Sequence, residues 1–383
     1  MIENYFPQGI ASGNAFIGRE NEINYLMKNI QMGRHTLLLA PRRYGKTSLA
    51  INTFNRLSIP YVEVNCYLAL SASAIEKKFL IAVQTLLNKI ISKPEKLLNN
   101  IQSFLKKGKK SWTLGFKGIA GVEITPDETE DYSENILTSL MLLEHVLEKQ
   151  QQIAVMFLDE IQEIASLKES RQLEGAIRQF AQHSKKLVFV FSGSNRRMLT
   201  QMFDDRTMPL YELCDRIILG RIDAKDYEQY LNNISQKTFN IPLSKSVFQK
   251  IIQLSERHPK RIYNLCFCLW RFCEDSNKIP TEEDVIQTWD RYLQQRFKDI
   301  SYYLKKLSSG QIKVLTLIAI NFQQEITGQA AQKKVKLSGP SIVKSLQILE
   351  ANDYIEKNQD NSYTIIDPLV KDILLNYETV NLD

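Results

Sequence analysis

The sequence predicts an α/β fold, a mainly parallel sheet with helices on both faces, followed by a helical segment and a small three-helix element ending in a hairpin. Three observations carry this expectation. Short apolar runs alternate with amphipathic ones as far as about residue 220. Those runs are almost continuously apolar rather than alternating, as strands buried on both faces are. After about residue 222 the strand signal fades and helical periodicity takes over.

Taken in order, the strand-like runs are TLLLA (36 to 40), YVEVN (61 to 65), IAVMFLD (153 to 159), KLVFVFSGS (186 to 194) and RIILG (216 to 220). Between them lie helical patterns such as ENILTSLMLLEHVLEKQ (134 to 150), apolar every three or four positions. One stretch breaks this rhythm: KKSWTLGFKGIAGVEITPD (109 to 127) sets glycines among β-favouring residues and reads as an inserted hairpin. Residues 1–222 are therefore expected to form the core, with a basic insertion at about 89–125. DAKDYEQYLNNI, SVFQKIIQLSERH and RIYNLCFCLWRFCEDS then read as helices, and Pro280-Thr281-Glu282-Glu283 starts another, giving a helical subdomain over 223–299. Over 300–383 come three short helices, the third with Ser338 as N-cap and Pro340 in its first turn, then YIEK, the polar turn NQDN and SYTIID. Three helices and a hairpin outline a winged helix-turn-helix.

Composition narrows the class. With 44% hydrophobic and 24% charged residues among 383, the chain reads as globular, and no apolar run approaches the ~20 residues of a membrane helix. The N-terminus MIENYFPQGI lacks a basic region followed by an apolar one, so a cytoplasmic protein without membrane association is expected. Five cysteines without a CxxC pair fit reduced thiols, and four scattered histidines suggest no metal cluster. The net charge of +6 is unevenly placed: residues 89 to 118 hold eight lysines against one acid, Glu95. Such a run is either a solvated face or a surface for nucleic acid or an acidic partner.

The chemistry concentrates in APRRYGKTS, Ala40 to Ser48. A strand runs into a short loop ending in Gly45-Lys46-Thr47, and a helix follows. In such loops successive backbone N–H groups and a helix N-terminus converge on a phosphate, a lysine reaches the terminal phosphates, and the hydroxyl meets magnesium. The motif usually begins with glycine, where this chain has Ala40. An alanine there is tolerated unless its φ is positive. A second half-site stands at the end of IAVMFLDEIQEI. Asp159 can hold Mg²⁺ and Glu160 can polarise an attacking water.

With these residues, together with FIGRENEI (16 to 23), SGSNRRML (192 to 199), RHPKRIYNL (257 to 265) and the C-terminal winged helix, the chain resembles the archaeal-type P-loop ATPases. These are AAA+-related and close to the STAND signalling ATPases and the origin-recognition/Cdc6 initiators. The resemblance implies a P-loop NTPase core, a helical lid and a winged helix-turn-helix. It implies ATP and Mg²⁺ as ligands, with Pro41, Arg42, Arg43, Tyr44, Gly45, Lys46, Thr47 and Ser48 around the phosphates and Thr47 and Asp159 on the metal. Phe16, Ile17, Gly18 and Arg19 would border the adenine. Glu160 would be the base and Asn195 the polar sensor, with Ser194 as its alternative. Pro259 and Arg261 would belong to the lid, although the family's glycine is Arg257 here.

Two outputs fit these expectations. One is a nucleotide-dependent switch acting on a protein partner or on itself; the other is a DNA-binding ATPase resembling replication initiators or transposition helpers. Residues 301 to 383 hold nine lysines, nine acids and no arginine, a poor balance for DNA, although Lys333, Lys334, Lys336, Lys344 and Gln347 lie on or near the third helix.

Overall fold

The computed structural model describes residues 2–91, 112–117, 121–126, 131–276, 278–322, 325–358 and 360–376, and the lysine run from 93 to 110 lies outside them. The chain divides into two compact units. One comprises Arg19–Ala40 and Lys46–Leu219; the other comprises Met1–Gly18, Pro41–Gly45 and Gly220–Asp383.

The first unit is built on five parallel strands: β1 (Thr36–Leu39), β2 (Tyr61–Asn65), β5 (Ala154–Asp159), β6 (Leu187–Gly193) and β7 (Asp215–Ile218), in the spatial order β2-β5-β6-β1-β7. Strands β5 and β6 sit inside the sheet, and every residue of both is buried, which is why AVMFL and LVFVF read as unbroken apolar runs. Edge strands β2 and β7 are only partly covered. Phe157, Phe189 and Phe191 fill the core, and helices Ala72–Ile90 and Tyr132–Gln150 begin on side-chain caps from Ser71 and Asp131. Strands β3 (Trp112–Lys117) and β4 (Gly121–Pro126) pair antiparallel, Trp112 opposite Pro126, as the expected inserted hairpin, which comes after the helix Ala72–Ile90 and not directly after the second strand.

Two buried polar side chains set where β6 begins. Glu144 accepts from the amides of Lys185, Lys186 and Leu187 at 2.7, 2.9 and 2.8 Å. His35 accepts from the Phe189 amide through Nδ1 at 3.0 Å, while its Nε2–H donates to the Ala181 carbonyl at 3.0 Å. That arrangement requires a neutral ring, and burial indeed pulls its pKa down.

The second unit is helical. Ala224–Phe239, Lys245–Ser255, Pro259–Asp275 and Glu282–Leu304 pack around Trp270, Leu269, Val285 and Trp289. The 282–304 helix opens on a capping box of Thr281 and Asp284. The N-terminal segment belongs to this unit. Phe6 is buried against Tyr230, Tyr263 and Trp270, and the Tyr230 hydroxyl donates to the Tyr5 carbonyl at 2.5 Å. Helices Ser309–Ala319, Gln329–Val335 and Gly339–Ala351 follow, then the hairpin β8 (Ile355–Lys357) and β9 (Tyr363–Ile365) and a last helix, Pro368–Asn376. Ser338 stands at the N-cap of the 339–351 helix with Pro340 in its first turn. No helix among the described residues is long and apolar enough to cross a membrane.

Candidate functional site

Strand β1 ends at Leu39, and the helix Lys46–Leu57 begins directly after Gly45. Between them the backbone enters the left-handed region at Arg43 (φ 66°) and at Gly45 (φ 91°), the second a value that suits glycine alone. Ala40, buried at 1% exposure, is not among the positive-φ residues, so a methyl group where the motif has glycine costs no backbone strain. Pro41 and Tyr44 are buried, Arg42 and Arg43 exposed, and Thr47 and Ser48 half-buried. Lys46, itself only 7% exposed, turns its Nζ back to donate to the Ala40 carbonyl at 2.9 Å.

The parallel register lays Asn65 beside Asp159 and brings β5 out next to the end of β6. Six polar side chains meet there. The Thr47 hydroxyl donates to Asp159 Oδ2 at 3.2 Å, and the Ser192 hydroxyl donates to Oδ1 of the same carboxylate. Glu160, held at φ 53°, accepts through Oε2 from Gln162 Nε2 at 2.6 Å and from the Ser194 amide and hydroxyl at 3.0 and 2.8 Å. Burial pushes the Glu160 carboxyl up, but these hydrogen bonds and the charge of Lys46 outweigh it, and the pKa is lowered. Glu160 is therefore an ionised, oriented carboxylate at neutral pH.

Asn195 sits next to this cluster but is used differently. Its Oδ1 caps the helix Arg196–Asp204 by accepting from the Met198 amide at 3.1 Å, and it is Ser194 that touches Glu160. Ser192 and Gln162 are participants that the sequence alone does not single out. Gln162 approaches so closely that a Cβ on Gly193 would lie 1.9 Å from its Oε1, which explains the glycine in SGSN.

A second cluster forms within the helical unit. Tyr44, from the loop, meets His258 edge to face at 5.2 Å between ring centroids. His258 is the N-cap and Pro259 the first residue of the 259–275 helix. One turn on, Arg261 grips Asp367 with both arms, Nε to Oδ1 at 2.8 Å and Nη2 to Oδ2, and donates through Nη1 to the Tyr292 hydroxyl at 2.5 Å. Burial opposes charge on both partners, yet each outweighs it for the other: the Asp367 pKa is lowered and that of Arg261 raised. Arg221 adds a parallel tie, donating to the carbonyls of Glu256, Ile365 and Ile366 at 2.5, 3.2 and 3.3 Å. In the same unit Ile17 is buried, Phe16 half-buried, and Gly18 turns the chain at φ 63°. Arg19, in the sheet unit, precedes the helix Glu20–Gln31 in a left-handed conformation and pairs with Glu22 at 3.2 Å.

His258 gives this cluster a pH signature. Burial holds its imidazole at about 4, below the ordinary histidine value, so an unfolded chain takes up the proton first as pH falls. Its contribution to stability is whole above pH ~6.5 and is lost progressively from there down to the folded value, an effect on the order of 3 kcal/mol. Thermal melts of wild type and His258→Gln across this range should show the loss in the wild type and a shallower slope in the variant.

A parallel sheet fed by a G-K-T loop, with an acidic pair at the end of a buried strand two places along the sheet, defines the P-loop ATPase fold of the AAA+ kind. Solved structures agree. A Walker-type ATPase of Pyrococcus abyssi superposes with a TM-score of 0.69 at 17% identity, over 97% of this chain and 99% of that one. The ORC2 protein of Aeropyrum pernix, solved as ADPNP-ADP complexes, gives 0.58 at 12% identity, over 97% and 95%. The ORC1 protein of the same organism, solved in complex with DNA, gives 0.50 at 12%, over 97% and 95%. No protein-family model matches the sequence, and neither does any curated protein.

Proposed function

We propose that the chain is an ATP- and Mg²⁺-binding P-loop ATPase that works as a nucleotide-dependent switch. The observation that carries this reading is the convergence of Thr47 and Asp159, 112 positions apart, to 3.2 Å with Glu160 alongside. Two hard oxygen donors in contact suit magnesium, and Thr47 with Asp159 would hold it. The metal, when bound, neutralises charge developing on the transferred phosphoryl group. Amides of the loop from Pro41 to Gly45 and the N-terminus of the 46–57 helix would cradle the phosphates, and Lys46 would exchange the Ala40 carbonyl for a phosphate oxygen. Glu160 orients and deprotonates the attacking water, with Ser194 and Gln162 fixing its carboxylate. Asn195, Phe16 to Arg19, Ser48, Pro259 and Arg261 complete the proposed set of ATP contacts.

The switch rests on the second cluster. Tyr44 of the phosphate loop touches His258, and the helix that His258 starts is fastened to the winged-helix element by Arg261–Asp367 and by Arg221. A carboxylate held by both arms of an arginine occupies the fork that a phosphate would use. As a proposed ATP contact, Arg261 would exchange Asp367 for a phosphate, and the winged helix would be released or held accordingly. Calorimetry tests the first step. Lys46→Ala should abolish ATP-Mg²⁺ binding while leaving the melting temperature nearly unchanged, and retained affinity would refute the assignment of the loop.

A further inference from the structure

The C-terminal element carries a groove of about 820 Å³ along one face of the 339–351 helix, between the β8–β9 hairpin and the segment after the 309–319 helix. Its side chains are wrong for phosphates. Among the described residues, Glu325, Glu350 and Asp360 line the groove against one lysine, Lys357, and the helix gives it Val343, 42% exposed, and Gln347, while the exposed Lys344 of the same helix does not line it.

Both walls are built rather than incidental. The Thr327 hydroxyl donates to Glu325 at 2.8 Å. The Ser362 hydroxyl and amide donate to Asp360 at 2.6 and 2.9 Å, holding that carboxyl below its ordinary pKa. Across the hairpin, Asn358 donates to Ser362 Oγ and Thr364 Oγ1 at 2.8 Å each. The floor is apolar, with Leu346, Ile326 and Phe322 beside Val343.

We propose that this groove docks a cationic segment of a protein partner. Lysine or arginine side chains of the partner would meet the three carboxylates, and an apolar one would rest on Val343. Charge complementarity selects that occupant. The whole chain carries +6, so a cationic segment gains nothing from its overall field and is drawn only by this local reversal of sign. The inference does not depend on the ATPase assignment, because the groove shares no residue with the proposed ATP contacts.

Fluorescence anisotropy on the full chain tests it, with a labelled synthetic peptide of alternating lysine and leucine as probe. A glutamate–leucine peptide and a labelled duplex DNA serve as comparisons. The cationic peptide should bind saturably, and Glu325→Lys/Glu350→Lys/Asp360→Lys should weaken it by about ten-fold or more. Val343→Asp should weaken it too, and Lys357→Glu should strengthen it. Circular dichroism melts matching the wild type establish that the variants fold, since the substituted side chains line an open surface. An affinity for the cationic peptide that the triple reversal leaves unchanged, equal binding of the acidic peptide, or duplex binding abolished by Val343→Asp would each overturn the proposal.

Discussion

Glu160→Gln is expected to leave ATP-Mg²⁺ binding intact and to slow turnover by roughly 10²- to 10⁴-fold, the usual contribution of a positioned base. The fold should survive the change. An amide oxygen can replace Oε2 as acceptor for the Ser194 amide and hydroxyl, at 3.0 and 2.8 Å, so the β6 end and the 161–166 turn keep their anchor. Only the charge that accepts a proton is lost. Single-turnover hydrolysis measured beside calorimetric ATP affinity separates the two effects, and equal turnover by both proteins would remove this carboxylate from the chemistry. Ser194→Ala should give a smaller loss, because the Ser194 amide and Gln162 still hold Glu160.

Asp367→Asn should produce the largest change in stability. Arg261 has a side chain only 5% exposed, and removing its counter-charge strands a guanidinium in a poorly solvated place, which costs roughly 3–5 kcal/mol. The loss should fall near the lower figure, since Asp367 keeps 23% of its side-chain surface and water can partly replace it. Arg261→Met combined with Asp367→Leu removes both charges and should recover most of the melting temperature. Under the proposed switch the single variant has a second signature: ATP-Mg²⁺ should protect it more than the wild type, because its free arginine no longer has to leave a carboxylate. A single variant as stable as the wild type would show that the pair holds nothing.

What the sequence discloses and what it hides follow physical lines. Strands β5 and β6 are legible because a strand buried on both faces is almost entirely apolar, and Gly45-Lys46-Thr47, after β1, and Asp159-Glu160, at the end of β5, are legible because each marks where such a run stops. The choice between Ser194 and Asn195 is not. Two adjacent polar residues follow the same strand, and only the direction of each side chain shows that one caps a helix while the other grips Glu160. The partner of Arg261 is equally hidden, since Asp367 lies 106 positions away and an ion pair between distant segments leaves no local pattern. The joining of Phe6 to the helical unit is concealed likewise: one aromatic in a short N-terminal stretch has no periodicity to announce it.

Strand β6 behaves as a ruler with its zero mark at Glu144 and His35 and its reading at Ser192 and Ser194. Neighbouring side chains on a strand face opposite ways, so a slip of one position would turn both serines from the acidic pair at once. Damage at the zero mark would thus appear as a chemical defect at the other end, in a variant whose altered residue never meets a ligand.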